Sequence, residues 1–149
     1  MNGNIKNNVT EFSLPAVEGR EINSIYFIGI GGIGMSAIAR YFHSKGIKVS
    51  GYDRTETELT KDLMEEGVEV HYSEDLDIIV YTPAIPKEHK ELQFYQNNGY
   101  KVVKRSDILQ LITESSFNIC VAGTHGKTTT TTMIAHLLRD SGYGCKAFL

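Results

Sequence analysis

Two glycine-rich stretches carry the residue types and spacings that could do chemistry. The first, GIGGIG, supplies Gly29, Gly31 and Gly34 in the spacing G-x-G-x-x-G, between an apolar run and a helix-like stretch, and Asp53 closes the next apolar run. In such a loop the first glycine permits a tight turn, the second lets the backbone approach a diphosphate, and the third lets helix and strand pack closely. The following helix offers its free N–H groups and positive dipole end to the phosphates. An acid at the end of the next strand accepts hydrogen bonds from a ribose or a base. NAD, FAD and UDP-sugars all present a diphosphate and a ribose, so the loop alone leaves the nucleotide open. The plain alternative is a glycine turn needed only for packing.

The second stretch, Gly123-Thr124-His125-Gly126-Lys127-Thr128, ends in the GKT of a phosphate loop. In that motif backbone N–H groups wrap the phosphates, the lysine sets a point charge on the β and γ oxygens, and the threonine brings a hydroxyl to Mg²⁺. Lys127 and Thr128 stand in those positions. Val121 lies where the usual motif begins with glycine, so this is a shortened variant. The run Thr128 to Thr132 forms helix poorly, because β-branched side chains lose χ1 freedom. First-turn hydroxyls that face phosphate and metal would account for it, while Thr130 to Thr132 need no chemical role. His125 has two open readings, contact with a phosphate or substrate acid, and exposure to solvent. His43, His71, His89 and His136 are scattered without metal-like spacing.

The elements that must position these loops alternate along the chain. SIYFIGI, from Ser24, reads as a strand covered on both faces. Met35, Ile38, Ala39 and Phe42 then mark one helix face, which Gly46 ends. IKVSGYD is a strand stopping at Asp53, and Thr57 to Glu66 a charged helix with Leu59, Leu63 and Met64 inward. VEVHY and DIIVY follow as strands, the latter ending in the turn TPAIP. Lys87 to Asn98 reads as a helix with Leu92 and Tyr95 inward, and YKVVK as a strand. Ser106 is the expected N-cap of DILQLITE. FNICVAG is a further strand, Thr128 to Asp140 a helix burying Met133, Ile134, Leu137 and Leu138, and KAFL the start of another strand. Strand–helix alternation with short connections implies an α/β fold, a Rossmann-like parallel sheet with helices on both faces. The strand–loop–helix pattern occurs twice, so two units are expected. Residues 1–22 form a polar arm, partly ordered around Phe12 and Leu14, 23–115 a nucleotide-binding domain, and 116–149 the first βα unit of a phosphate-loop ATPase domain.

Composition bounds the partners. The 149 residues are 41% hydrophobic and 22% charged with net charge −3, as for a globular domain. The basic stripe expected of a nucleic-acid binder is missing. No apolar run approaches a membrane span, and the N-terminus lacks a signal-peptide core. A cytoplasmic location is expected, with Cys120 and Cys145 as free thiols.

A diphosphate-binding unit followed by GT-x-GKT is the arrangement of the Mur ligases, which the chain resembles over Ser24 to Leu149. GIGGIGM at 29–35, TPAIP at 82–86 and AGTHGKTTT at 122–130 carry the resemblance. It implies that the first unit holds the UDP moiety of UDP-N-acetylmuramate. Gly29, Gly31, Gly32, Ile33 and Gly34 then lie at the diphosphate, Asp53 near the uridine and Thr82 in the turn beside them. It implies ATP on Gly123, Thr124, His125, Gly126, Lys127, Thr128 and Thr129, with Lys127 and Thr128 catalytic and Thr128 on Mg²⁺. The implied reaction, a step of peptidoglycan precursor synthesis, joins the muramic carboxylate to L-alanine through an acyl phosphate formed from ATP. Phosphoryl transfer of this kind rests on positioning and charge neutralisation. The family's other metal-holding groups and its amino-acid pocket would follow Leu149, so the chain is expected to be an N-terminal part, inactive alone. Three further readings stay open: an NAD-dependent oxidoreductase domain with Asp53 on the adenosine ribose, the ligase that reattaches recycled murein tripeptide, and a nucleotide-sensing module without catalysis.

Overall fold

A short backbone ladder comes first: β1 (Ala16–Val17) runs antiparallel to β2 (Arg20–Glu21). The computed structural model describes residues 16–17, 20–71 and 76–148; Phe12 and Leu14, expected to order the arm, lie outside them. Next come β3 (Ser24–Ile28), α1 (Ile33–His43), β4 (Lys48–Tyr52), α2 (Glu58–Glu65), β5 (Ile78–Tyr81) and α3 (Lys90–Asn97). Then follow β6 (Val102–Lys104), α4 (Arg105–Glu114) and α5 (Lys127–Asp140). Four strands form one parallel sheet in the order β4-β3-β5-β6.

All five residues of β3 are buried, as its unbroken apolar run requires of a central strand. Alternate side chains divide between two layers. Ile25, Phe27, Ile78 and Val80 pack with Met35, Ile38, Ala39 and Phe42 of α1 and Ile108 and Ile112 of α4. Tyr26, Ile28 and Ile79 pack on the other face with Leu92 and Tyr95 of α3. Helices thus cover both faces, as expected. At the N-terminal edge, Asp77 Oδ2 accepts the Asn23 and Ser24 amides at 2.9 Å each, and Ser24 Oγ accepts the Asp77 amide. Those amide donors hold the Asp77 carboxyl below its ordinary pKa.

Several expected elements differ. VEVHY reduces to one bridge, Ser50 with Glu69, and its Tyr72 lies outside the described residues. Met64 is 45% exposed, because eight residues of α2 present only Thr60 and Leu63 to the core. Ser106 sits inside α4, which starts at Arg105; Asp107 Oδ2 instead accepts the Lys104 amide at 3.2 Å. FNICVAG forms no strand, since a strand is held by ladder bonds and no described strand pairs with residues 117–123. For the same lack of a covering layer α5 buries no side chain, with Met133 62% and Leu137 65% exposed. KAFL is also no strand; its Phe148 ring lies 6.0 Å from that of Tyr41 instead.

One buried polar pair makes stability depend on pH. Tyr26 Oη donates to Glu91 Oε1, while Glu91 Oε2, in a residue 6% exposed, has no partner among the described residues. Burial raises the Glu91 carboxyl above its ordinary pKa, against the Tyr26 hydrogen bond and the nearby His89. A carboxyl raised in the fold contributes stability that is full below its unfolded pKa and is lost as pH rises through the folded pKa. Glu91→Gln should therefore leave stability near pH 4 little changed and gain about 1–3 kcal/mol at pH 8. Thermal melts across that range check it.

Candidate functional site

Every strand of the parallel sheet ends at the same edge, so the segments after β3, β4, β5 and β6 gather there. The chain leaves β3 toward β4 on one side and returns to β5 on the other. A crevice at that switch point is where open α/β sheets hold ligands. The glycine loop leaves β3 at the crevice, and TPAIP leaves β5 beside it.

The loop is built tightly. Gly29 has φ +82°, a conformation that favours glycine, and its amide donates to the Tyr52 carbonyl at 2.7 Å. The Gly32 amide closes the turn on Gly29 O at 3.2 Å. Met35 and Ser36 both donate to Gly32 O, and among the described residues the Ile33 and Gly34 amides are left as the free donors of the first turn of α1. The Ile33 side chain stands 73% exposed over this end. Asp53, just past β4, accepts the Gly31 amide on Oδ2 at 2.8 Å and the Thr55 amide on Oδ1 at 3.0 Å. A Cβ on Gly31 would stand 2.8 Å from Thr60 Cγ2 and 2.9 Å from Asp53 Oδ2. A Cβ on Gly29 would lie 3.5 Å from Ile85 Cδ1, so the TPAIP turn touches the loop. Thr82 shapes that turn, its carbonyl accepting the Ile85 amide at 3.0 Å and its hydroxyl the Ala84 amide at 3.2 Å. Next to it, Tyr81, Pro83, Ile85, Lys87, Leu92, Gln96 and Lys104 line a cavity of about 310 Å³.

Gly34 behaves differently from expectation. The three atoms nearest a Cβ placed there all belong to Arg105; Nη1 would collide with it, and Cζ lies at 3.2 Å. Glycine at this position makes room for a guanidinium, not for a strand. Arg105 escaped the sequence reading because a single arginine at a strand–helix junction carries no motif.

The second loop precedes α5. Gly126, at φ +76°, is its N-cap, with no side chain capping the helix. Lys127 Nζ folds back onto Gly123 O at 2.8 Å and Thr124 O at 3.5 Å. The Thr132 hydroxyl donates to Thr128 O, the usual internal outlet for a helical threonine. Thr124, His125 and Thr129 are exposed. Open amides at a helix start plus one lysine fit a polyphosphate. For Mg²⁺ the fit is narrower: Thr128 offers a single hydroxyl oxygen, and the described residues hold no cluster of three His, Cys, Asp or Glu side chains. Among the described residues the hydrogen bonds of this loop are internal, and Asp53, Thr82 and the first loop are not among their partners. The structure therefore joins Gly29, Gly31, Gly32, Ile33, Gly34, Asp53 and Thr82 at one edge and leaves Gly123 to Thr129 as a separate group. Cys120 and Cys145 are unpaired and exposed. Among the described residues no helix is long and apolar enough to cross a membrane.

Residues 24–116, which hold the first loop, Asp53, the TPAIP turn and α4, match the Mur ligase family, catalytic domain. The chain belongs to the Mur ligase family. Its curated Mur ligase relatives include the UDP-N-acetylmuramate–L-alanine ligase of Porphyromonas gingivalis, 56% identical over 137 residues that cover 84% of this chain and 30% of that protein. The ligase of the same name from Phocaeicola vulgatus is 54% identical over 140 residues, covering 86% of this chain and 31% of its own length. Among solved structures, the UDP-N-acetylmuramate-alanine ligase of Thermotoga maritima superposes with TM-score 0.72 at 36% identity, over 80% of this chain and 30% of that one. A murein peptide ligase of Psychrobacter arcticus gives TM-score 0.73 at 28% identity, over 80% and 27%. This chain thus spans 30% of the length of a Mur ligase relative such as the first.

Proposed function

We propose that this chain is the UDP-nucleotide-binding part, with the start of the ATP-binding part, of an ATP-dependent ligase joining UDP-N-acetylmuramate to L-alanine. One observation carries the reading: two phosphate-type loops of different kinds lie on separate helix starts in a chain 56% identical to a ligase of that name. The boundaries proposed are 1–22 for the arm, 23–115 for the nucleotide domain and 116–149 for the opening of the second. The fold does not choose between this ligase and the murein peptide ligases, whose TM-scores are alike; the curated sequence identities of 56% and 54% favour the former. An oxidoreductase gains no support from those relatives.

In this reading the free Ile33 and Gly34 amides and the α1 dipole bind the diphosphate. Asp53, fixed by two backbone amides, turns its remaining lone pairs to the ribose or uracil. Ile33 offers carbon surface, and Thr82 holds the turn that bounds the crevice. At the second loop, Lys127 and the amides from Gly123 to Thr129 would hold ATP, which supplies a transferable phosphoryl group when bound. Lys127 would leave its two carbonyl partners to neutralise phosphate charge, and Thr128 would give one oxygen to Mg²⁺.

Calorimetric titration with UDP tests the assignment, and a folded chain that takes up no UDP at millimolar concentration would sink it. NADH preferred over UDP would return the oxidoreductase reading. Lys127→Ala is expected to leave the UDP dissociation constant within about twofold of wild type, because Lys127 serves the other loop and its hydrogen bonds are local. A large loss on that change would mean that both loops share one ligand.

A further inference from the structure

We propose that Arg105 is a specificity-determining residue of the first loop, holding a phosphate of the nucleoside diphosphate against the start of α1. The inference rests on the proposed UDP reading of that loop. Arg105 is the first residue of α4 at the C-terminal end of β6, and its half-buried guanidinium fills the space that Gly34 leaves by lacking a Cβ. Its tip therefore lies beside the Gly34 backbone, where the free amides of α1 are. No carboxylate pairs with it among the described residues. The nearest acid in sequence, Asp107, is occupied by the Lys104 amide and the Ser106 hydroxyl.

Local electrostatics do not explain an arginine here. The first turn of a helix favours acids and disfavours cations, because the positive dipole end already lies there. Asp107 obeys that rule and Arg105 opposes it. A planar guanidinium aimed beside unpaired amides has the donors to take a phosphate oxygen, alone or in a bidentate pair. Asp53, whose carboxylate occupies the Gly31 amide, stands on the other side of the loop. The loop is thus polarised: its acid end suits hydroxyls or a base, and its guanidinium end suits phosphate. This orders the ligand, with ribose toward β4 and phosphate toward α4.

Titrations of UDP and of uridine into the chain and its variants test the assignment. Arg105→Ala should weaken UDP about 10- to 100-fold, the worth of a charged hydrogen-bonding group, and leave uridine unchanged. Arg105→Lys should recover part of the loss. Gly34→Ala, whose methyl displaces the guanidinium, should also weaken UDP, but add little in the Arg105→Ala background, since both act on one contact. UDP affinity unaltered by Arg105→Ala overturns the inference. So do equal losses for UDP and uridine, which would make Arg105 a support of the fold, and additive effects of the two substitutions. A wild-type chain that binds uridine but not UDP also overturns it, and one that binds neither overturns the underlying UDP reading.

Discussion

Gly31→Ala is expected to weaken UDP binding by roughly a hundredfold, on the order of 3 kcal/mol, while the protein stays folded. The backbone at Gly31 is not in a left-handed conformation, so alanine is excluded by its surroundings and not by φ. Its methyl would meet Thr60 Cγ2 at 2.8 Å and Asp53 Oδ2 at 2.9 Å. Thr60 cannot easily turn away. Its hydroxyl accepts the Thr57 amide at 2.8 Å and donates to the Thr57 carbonyl at 2.8 Å, while its own amide donates to Thr57 Oγ1 at 3.3 Å. This reciprocal cap starts α2, so rotating Thr60 would uncap that helix at a cost of about 1 kcal/mol. Asp53 is the softer neighbour and would move, breaking its bond from the Gly31 amide and carrying the acid off the ribose side of the crevice. The change therefore acts on the ligand through Asp53, the residue that it displaces, while Thr60 stays in its cap. Calorimetry of UDP binding beside a thermal melt checks it; unaltered affinity in a folded variant would show that the loop is not the UDP site.

Gly51→Ala should cost about 3 kcal/mol of stability without any direct role in binding. Gly51 lies in β4 against β3, and a Cβ there would meet the Phe27 carbonyl oxygen at 2.6 Å and Ile30 Cδ1 at 2.8 Å. The Ile30 methyl could rotate; a carbonyl in the central strand could not. Relieving the contact means separating β3 from β4 where Ile28 pairs with Tyr52 and where the Gly29 and Ile30 amides reach Tyr52 O. Small domains hold only about 5–15 kcal/mol of net stability, so the loss is a large share. In denaturant the midpoint should fall with the slope unchanged. A midpoint equal to that of wild type would mean that the two strands have room that their spacing denies.

Much of the geometry of the first loop was legible in the residue pattern. Gly29 and Asp53 declare themselves because a turn with positive φ and an acid closing the next strand leave fixed marks at fixed spacing, whereas Gly31, expected to make room for a diphosphate, makes room for Thr60 and Asp53. The buried positions of α1 and α3 were legible for the same reason: one face of each faces the sheet, so apolar residues recur with helical period. Reading failed where local pattern needed a partner to become structure. FNICVAG and α5 have the apolar residues of a strand and of a core-facing helix, but no described layer covers them. Ser106 had the chemistry of a cap, yet Asp107 supplied the acceptor one turn position away, because β6 runs directly into α4.

The sequence by itself determined the strand–helix alternation, the two phosphate loops and their order, since these depend on residue type and short-range spacing. Tertiary structure alone decided which side chains meet across the sheet edge. Thr60 lies under Gly31, Ile85 reaches Gly29, and Arg105 fills the space above Gly34 from 71 positions further along the chain. Such contacts follow from parallel strands ending at one edge, which brings distant junctions together, and no period or motif in the chain records them.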